Sequence, residues 1–232
     1  MSIELNQTAL QDYFGAVCSV PVFLAHRQGE CGIDGLSFDE TEKLSSMGSE
    51  KRRTEYILGR HALKETLSRI GQVLDTSYVT WPSMFCSLSH SEGHAVAVSS
   101  AQAASIGIDL QLKKMPPFAM AERILSGDTL EAWQALPEVD KAKALQRFWT
   151  ANEAVYKACP SPQPAYFRHY RLHSPFSADS AASIAVPAVF FVLMKMNLCL
   201  CETIMRAALS SLRTHSREAR SRACTNRRRS GS

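Results

Sequence analysis

The chain has no Cys-x-x-Cys pair, no basic-then-apolar leader pattern and no long apolar run. The longest such run, Ile184 to Met194, is eleven residues and is interrupted by Pro187. A bilayer span needs about 20 apolar residues, so this block predicts a core segment and no membrane association. The first residues, Met1 to Gln7, are polar and unlike a secretory signal. Seven cysteines is an odd number, and Cys199 and Cys201, two apart, have poor spacing for metal ligands. These absences point to a reducing, cytoplasmic compartment and to free, buried thiols. Solenoid-type repeats are absent as well.

What is present divides near residue 160. Residues 1–160 hold 15 Lys+Arg and 19 Asp+Glu, whereas residues 161–232 hold 11 basic and 3 acidic residues. Ten of those 11 are arginine, so the net formal charge of +4 averages two different chemistries. With 232 residues, 45% of them hydrophobic, the chain can bury a core as one large domain or two small lobes.

The apolar, β-prone stretch Val17 to Leu24 predicts a first strand. Ser37-Phe38-Asp39-Glu40 offers capping side chains for a short helix through about Leu44. A longer helix is predicted from about Ser49 to Ile70, with Tyr56, Gly59, Leu63, Leu67 and Ile70 along one stripe and Gly71 as its stop. Met84 to Leu88 and His94 to Val98 flank a polar, Gly-containing break and read as a hairpin-like pair. Ser105 to Leu110 is a third short strand containing a carboxylate. Helices follow over Phe118 to Leu125 and roughly Glu138 to Ala158. Pro160, Pro162 and Pro164 end the second of these.

Three islands carry chemistry. The first is Lys51-Arg52-Arg53-Thr54-Glu55-Tyr56-Ile57-Leu58-Gly59-Arg60, and the second is Ser87-Leu88-Ser89-His90-Ser91. The third pairs Gly107-Ile108-Asp109-Leu110-Gln111 with Phe148-Trp149-Thr150-Ala151-Asn152-Glu153-Ala154-Val155-Tyr156-Lys157. Singly, each has an ordinary structural explanation. Arginines seven apart usually mark a solvated helix face, and Ser-His in a turn is usually a local hydrogen-bonding device. A strand-end Asp is often a turn residue, and Glu and Lys four apart often form a surface pair. Together they suggest more. Asp109 and Glu153, from separate elements, suit a hard divalent ion such as Mg²⁺, which takes one or two carboxylates plus substrate phosphate oxygens. Arg53, Arg60 and His90 supply donors for further phosphates.

The order RRxxYxxGR, SLSH, GIDLQ and FWTxxEAxxK resembles the 4'-phosphopantetheinyl transferase superfamily, in its larger two-lobed branch, over about residues 15–159. The resemblance implies an α+β fold of two similar α/β lobes with pseudo-twofold symmetry and coenzyme A in the cleft between them. It implies residues 1–103 as the N-terminal lobe and 104–165 as the start of a C-terminal lobe with the metal and catalytic motifs. Residues 166–232 form an atypical basic segment expected to be poorly ordered. Asp109 and Glu153 resemble the Mg²⁺ ligands; Arg53, Arg60 and His90 resemble the coenzyme A phosphate contacts. Lys157 resembles the lysine beside the reacting diphosphate, and Glu153 is the implied base. The implied activity moves the phosphopantetheine arm of coenzyme A to a serine of an apo acyl or peptidyl carrier protein, releasing 3',5'-ADP. The resemblance also implies a monomer.

The chain departs from the family pattern in three places. Gln111 stands where many members have a third acidic ligand. Asn152 replaces a lysine before the glutamate, which removes a positive charge expected near the diphosphate. Beyond Pro160 no family pattern is legible. Two rival readings follow: a catalytically impaired remnant with a frame-altered C-terminus, and a nucleic-acid-binding protein that uses the basic tail. The tail lacks aromatic interleaving, which argues against nucleic-acid recognition.

Overall fold

The computed structural model describes residues 7–18, 20–72, 75–103, 105–112 and 118–158, together with the backbone of three strands between 182 and 204. It is a mixed helix-and-sheet structure with two antiparallel sheets.

The first sheet contains β1 (Phe23–Gln28), β2 (Cys86–Ser91) and β3 (His94–Ser99), in the order β1-β3-β2. The predicted hairpin is β2–β3. Its two-residue turn places Glu92 at φ 50° and Gly93 at φ 75°, the positive pair a tight hairpin turn requires. Helix α3 (Glu50–Arg69) packs on one face of this sheet, burying Ala62, Leu63 and Leu67 against Ala25, Cys86 and Ala97. It ends before Gly71, at φ 70°. Gly59 allows close approach to β2, since a Cβ there would lie 3.0 Å from Leu88 Cδ2.

The first strand begins later than the sequence predicts. Val17 closes helix α1 (Gln7–Val17), and β1 starts only at Phe23, after Pro21. Leu10 and Phe14, four apart, bury with Val22, Leu24, Val96 and Val98, so the helix draws its order from tertiary packing. Gln11 donates to Val22 O at 2.7 Å and accepts from Leu24 N–H at 2.8 Å. Gln7, one turn earlier, accepts from His26 N–H at 3.0 Å. The two glutamines thereby satisfy the outer edge of β1, which would otherwise be a free pairing template.

Helix α2 (Phe38–Ser45) has the predicted cap. Ser37 Oγ accepts from Glu40 N–H at 3.2 Å, and the Glu40 carboxylate accepts from Ser37 N–H at 2.8 Å. The helix expected over Phe118 to Leu125 is a 3₁₀ turn (Phe118–Met120) followed by one α-turn, α4 (Ala121–Ile124). Helix α5 (Asp128–Gln134), absent from the sequence prediction, is fastened by Trp133 Nε1 donating to Lys141 O at 3.0 Å. Helix α6 (Glu138–Ala158) buries Leu145, Phe148, Ala151 and Val155.

The second sheet contains β4 (Ser105–Leu110), β5 (Ala182–Ala185), β6 (Val189–Lys195) and β7 (Leu198–Ile204), in the order β4-β7-β6-β5. Asp109 lies opposite Cys199 in its register. α6 packs on this sheet as α3 packs on the first. Gly107 is what lets it do so: a Cβ there would sit 2.0 Å from Ala154 O and 2.7 Å from Ala158 N. The remainder of 166–232, expected from sequence to be poorly ordered, lies outside the described residues.

The cysteines with described side chains, Cys18, Cys31 and Cys86, are not in disulfides. Burial pushes the Cys86 thiol up to about 11, partly offset by its hydrogen bond to Ser83, so it stays protonated and inert. Cys18 and Cys31 are only half-buried, contrary to the expected burial. Among the described residues no helix is long and apolar enough to cross a membrane.

Candidate active site

The side chains of β2 alternate, and the two sets do different work. Ser87, Ser89 and Ser91 reach β4 and the residues just beyond it. Their hydroxyls accept from the N–H groups of Ile108, Leu110 and Leu112 at 3.0, 3.1 and 3.0 Å. These N–H groups lie on the edge of β4 away from β7, and buried donors need partners. Leu88 and His90 point the other way, toward α3.

A cleft of about 280 Å³ opens where β2, β4 and α6 meet, and it is lined by Leu88, Ser89, His90, Asp109, Gln111, Trp149, Glu153 and Lys157 among others. Asp109 is buried near the end of β4. Lys157 Nζ donates to its Oδ1 at 2.7 Å and to Ile108 O at 3.2 Å; Ser89 Oγ donates to the same Oδ1 at 2.9 Å. Glu153 and Lys157 are one turn apart on α6, which brings both to this cleft. Burial raises the pKa of Glu153 above its usual value; Lys157 opposes the shift and the Asp109 charge adds to it. Among the described residues no group of three or more His, Cys, Asp and Glu is arranged to hold a metal. The donor set is two carboxylates, Asp109 and Glu153. That fits a hard ion which keeps water and phosphate oxygens as its other ligands, and such a cation would offset the cost of burying the Glu153 carboxylate.

A second cleft of about 320 Å³ adjoins the first, sharing Leu88 and His90, with Met47, Arg52, Glu55, Tyr56 and Arg60 as its other walls. His90 Nδ1 is 3.5 Å from Glu55 Oε2. Burial holds the pKa of His90 below the usual histidine value; Glu55 works against this, and Lys157 reinforces it.

The arginines separate in role. Arg60 is buried, donates from Nη1 to both Thr76 O and Thr76 Oγ1 at 3.1 Å, and stacks over the Tyr56 ring at 4.8 Å. It braces α3 against the 75–78 turn as well as facing the cleft. Arg53 is exposed, sits 4.0 Å from Glu50, and is not among the cleft walls; Arg52 is. Lys64, on the same helix, is committed to buried Glu40 at 2.6 Å.

Asn152, which stands where the family pattern has a lysine, is fully buried on the inner face of α6, with Nδ2 donating to Phe148 O at 2.7 Å, and lines neither cleft. Ser89, Trp149 and Arg52 were not singled out as site residues, although their islands were. The period-two serines of β2 were the available signal for Ser89.

Comparison with known proteins places this geometry in context. Residues 105–186 match the family model of the 4'-phosphopantetheinyl transferase superfamily. The match continues past Pro160, where the motifs alone show no pattern. Enterobactin synthase component D of Salmonella typhi is 31% identical over 150 residues, covering 59% of this chain and 63% of that protein. Its counterpart in Salmonella typhimurium strain LT2 is 32% identical over 152 residues, with the same coverage of each. The chain thus spans less than two thirds of the length of these relatives. The resemblance carried by the motifs holds.

Proposed function

Because residues 105–186 match the 4'-phosphopantetheinyl transferase superfamily, we propose that the chain transfers the phosphopantetheine arm of coenzyme A to a serine of an apo carrier protein. One observation supports this above the others: the cleft draws Asp109, Glu153, Lys157 and His90 together from β2, β4 and α6. A cleft lined by two carboxylates, with the Lys157 cation and His90 beside them, suits a metal-bridged diphosphate.

In this reading Asp109 and Glu153 hold Mg²⁺. The ion, when bound, supplies electrostatic stabilisation to charge growing on the diphosphate. Lys157 stays beside Asp109 and faces the departing phosphate. His90, Arg60 and Arg53 contact the remaining phosphates, with Arg52 better placed than Arg53 along the cleft wall. The carrier serine Oγ forms a bond to the β-phosphorus of coenzyme A, and the bond from that phosphorus to the bridging oxygen breaks, releasing 3',5'-ADP. The serine proton passes to the Glu153 carboxylate, which the bound cation would keep ionised, or to water it orients.

The same proposal treats the two halves as related lobes. In the first, β1, α3 and the β2–β3 hairpin follow in order, and β1 pairs antiparallel with β3. In the second, β4, α6 and the β6–β7 hairpin repeat that order, with β4 antiparallel to β7 and β5 an added edge. In this reading residues 1–103 form the first lobe and residues 104–165 the start of the second, with the cleft at their junction. A monomer acting in the cytoplasm completes the proposal.

Asp109→Ala and Glu153→Ala should each abolish transfer of a labelled coenzyme A arm in the presence of Mg²⁺, with unchanged circular dichroism. Wild-type turnover in either variant would sink the assignment.

A further inference from the structure

The serine ladder between β2 and β4 contains one member with a second task. A hydroxyl has a single proton and two lone pairs. Ser87 and Ser91 spend a lone pair on the N–H groups of Ile108 and Leu112. Ser89 does the same for Leu110 N–H at 3.1 Å, which fixes its oxygen against a rigid strand edge. Its proton then goes to Asp109 Oδ1 at 2.9 Å. Of the three serines only Ser89 lines the cleft. Lys157 Nζ lies on the same oxygen at 2.7 Å. Two donors from opposite elements therefore meet on Oδ1, leaving Oδ2 as the oxygen for a cation.

We infer that Ser89 is a positioning residue for Asp109, using the β2–β4 ladder to fix the carboxylate rotamer so that Oδ2 serves as the metal ligand. This rests on Asp109 being a metal ligand, as proposed above. Outer partners of this kind orient ligating carboxylates, and their loss typically costs about 10–100-fold in metal affinity. The ladder has a second consequence: whatever moves the first sheet relative to the second also moves Asp109, so site geometry and inter-sheet contact are one structural variable.

The test is Mn²⁺ binding to the full chain with coenzyme A present, read from the electron paramagnetic resonance of free Mn²⁺, alongside a thermal melt of each sample. Asp109→Ala should lose the site. Ser89→Ala should weaken Mn²⁺ binding by about 10–100-fold, and Ser89→Thr, which keeps the hydroxyl, should restore most of it. Ser87→Ala and Ser91→Ala each remove one ladder bond without touching Asp109; they should lower the melting temperature about as much as Ser89→Ala and leave Mn²⁺ affinity near wild type. Wild-type affinity in Ser89→Ala, with binding lost in Asp109→Ala, would overturn the positioning role and leave the metal assignment standing. An equal loss of affinity in all three serine-to-alanine variants would overturn it too, because ladder integrity alone would then explain the effect. Wild-type affinity in Asp109→Ala would overturn the metal assignment itself.

Discussion

Glu40 has no exposed surface, yet it carries a charge held in place by Lys64 at 2.6 Å, by Thr76 N–H at 3.0 Å and by the Thr76 hydroxyl. Burial alone would raise its pKa; the bonds from Lys64, Thr76 and Ser37 outweigh that and hold it below 4.5. A carboxyl depressed on folding contributes stability above its unfolded pKa and loses it as pH falls through the folded value. Glu40→Gln should therefore cost roughly 3–5 kcal/mol at neutral pH, since the Lys64 ammonium loses its carboxylate partner, and should flatten the acid limb of the urea-unfolding profile. A variant with the wild-type acid slope would contradict this. The sequence exposed Ser37 and Glu40 as a cap, but not Thr76, whose bonds to Glu40 and Arg60 span 36 and 16 residues. Local patterns cannot show that kind of contact. The cleft residues Asp109, Glu153, Lys157 and His90 were legible because each sits inside a dense motif. For His90, whose pKa burial depresses below 6.5, a bound phosphate would favour the protonated ring. Coenzyme A binding should then take up a proton, so affinity should improve as pH falls from about 8 to about 6 by more in the wild type than in His90→Gln. Calorimetry in buffers of different ionisation enthalpy reads this directly, and identical pH profiles would exclude it.

At the scale of elements, the two long helices and the hairpin were readable because each carries a sustained period and a stop or turn residue at the right place: Gly71 after α3, Gly93 in the hairpin and Pro160 beyond α6. Helices α1 and α5 were not. α1 has only Leu10 and Phe14 as its described buried apolar anchors, and α5 is held largely by Trp133. Neither pattern outweighs the β-prone Val17 to Leu24 or the surrounding polar residues until the tertiary partners are present. The pairing of β4 with β7 was also hidden, because its partners are some ninety residues apart and nothing local encodes them. Gly107 offers the clearest test at this scale. A methyl group there meets the Ala154 carbonyl oxygen at 2.0 Å, and a backbone atom cannot move alone. Gly107→Ala must push α6 off β4, costing about 1–3 kcal/mol in urea unfolding, and must displace Glu153 and Lys157 with it. Lost transfer alongside that destabilisation is the expected result; a stable variant of normal turnover would show that the packing at this point is unimportant.

For the whole molecule, the two sheets are joined at the edge of β4, where three serines of β2 satisfy the N–H groups of Ile108, Leu110 and Leu112. The two clefts sit on that seam, with Arg52 and Arg60 on the α3 side and Asp109 and Glu153 on the side of β4 and α6. The charge split near residue 160 was plain in the sequence, but it gave no hint that strands from 182–204 join β4 in one sheet. A family resemblance was legible, because its motifs hold ionisable groups at fixed spacing; the substrate leaves no such mark in this chain. The most direct measurement is intact-mass analysis of an apo carrier protein after incubation with this chain, coenzyme A and Mg²⁺. The account predicts one added phosphopantetheine on the carrier serine, with 3',5'-ADP released in equal amount and neither product formed by Glu153→Ala. An unmodified carrier across several carrier types, with the wild-type chain folded and coenzyme A bound, would contradict it.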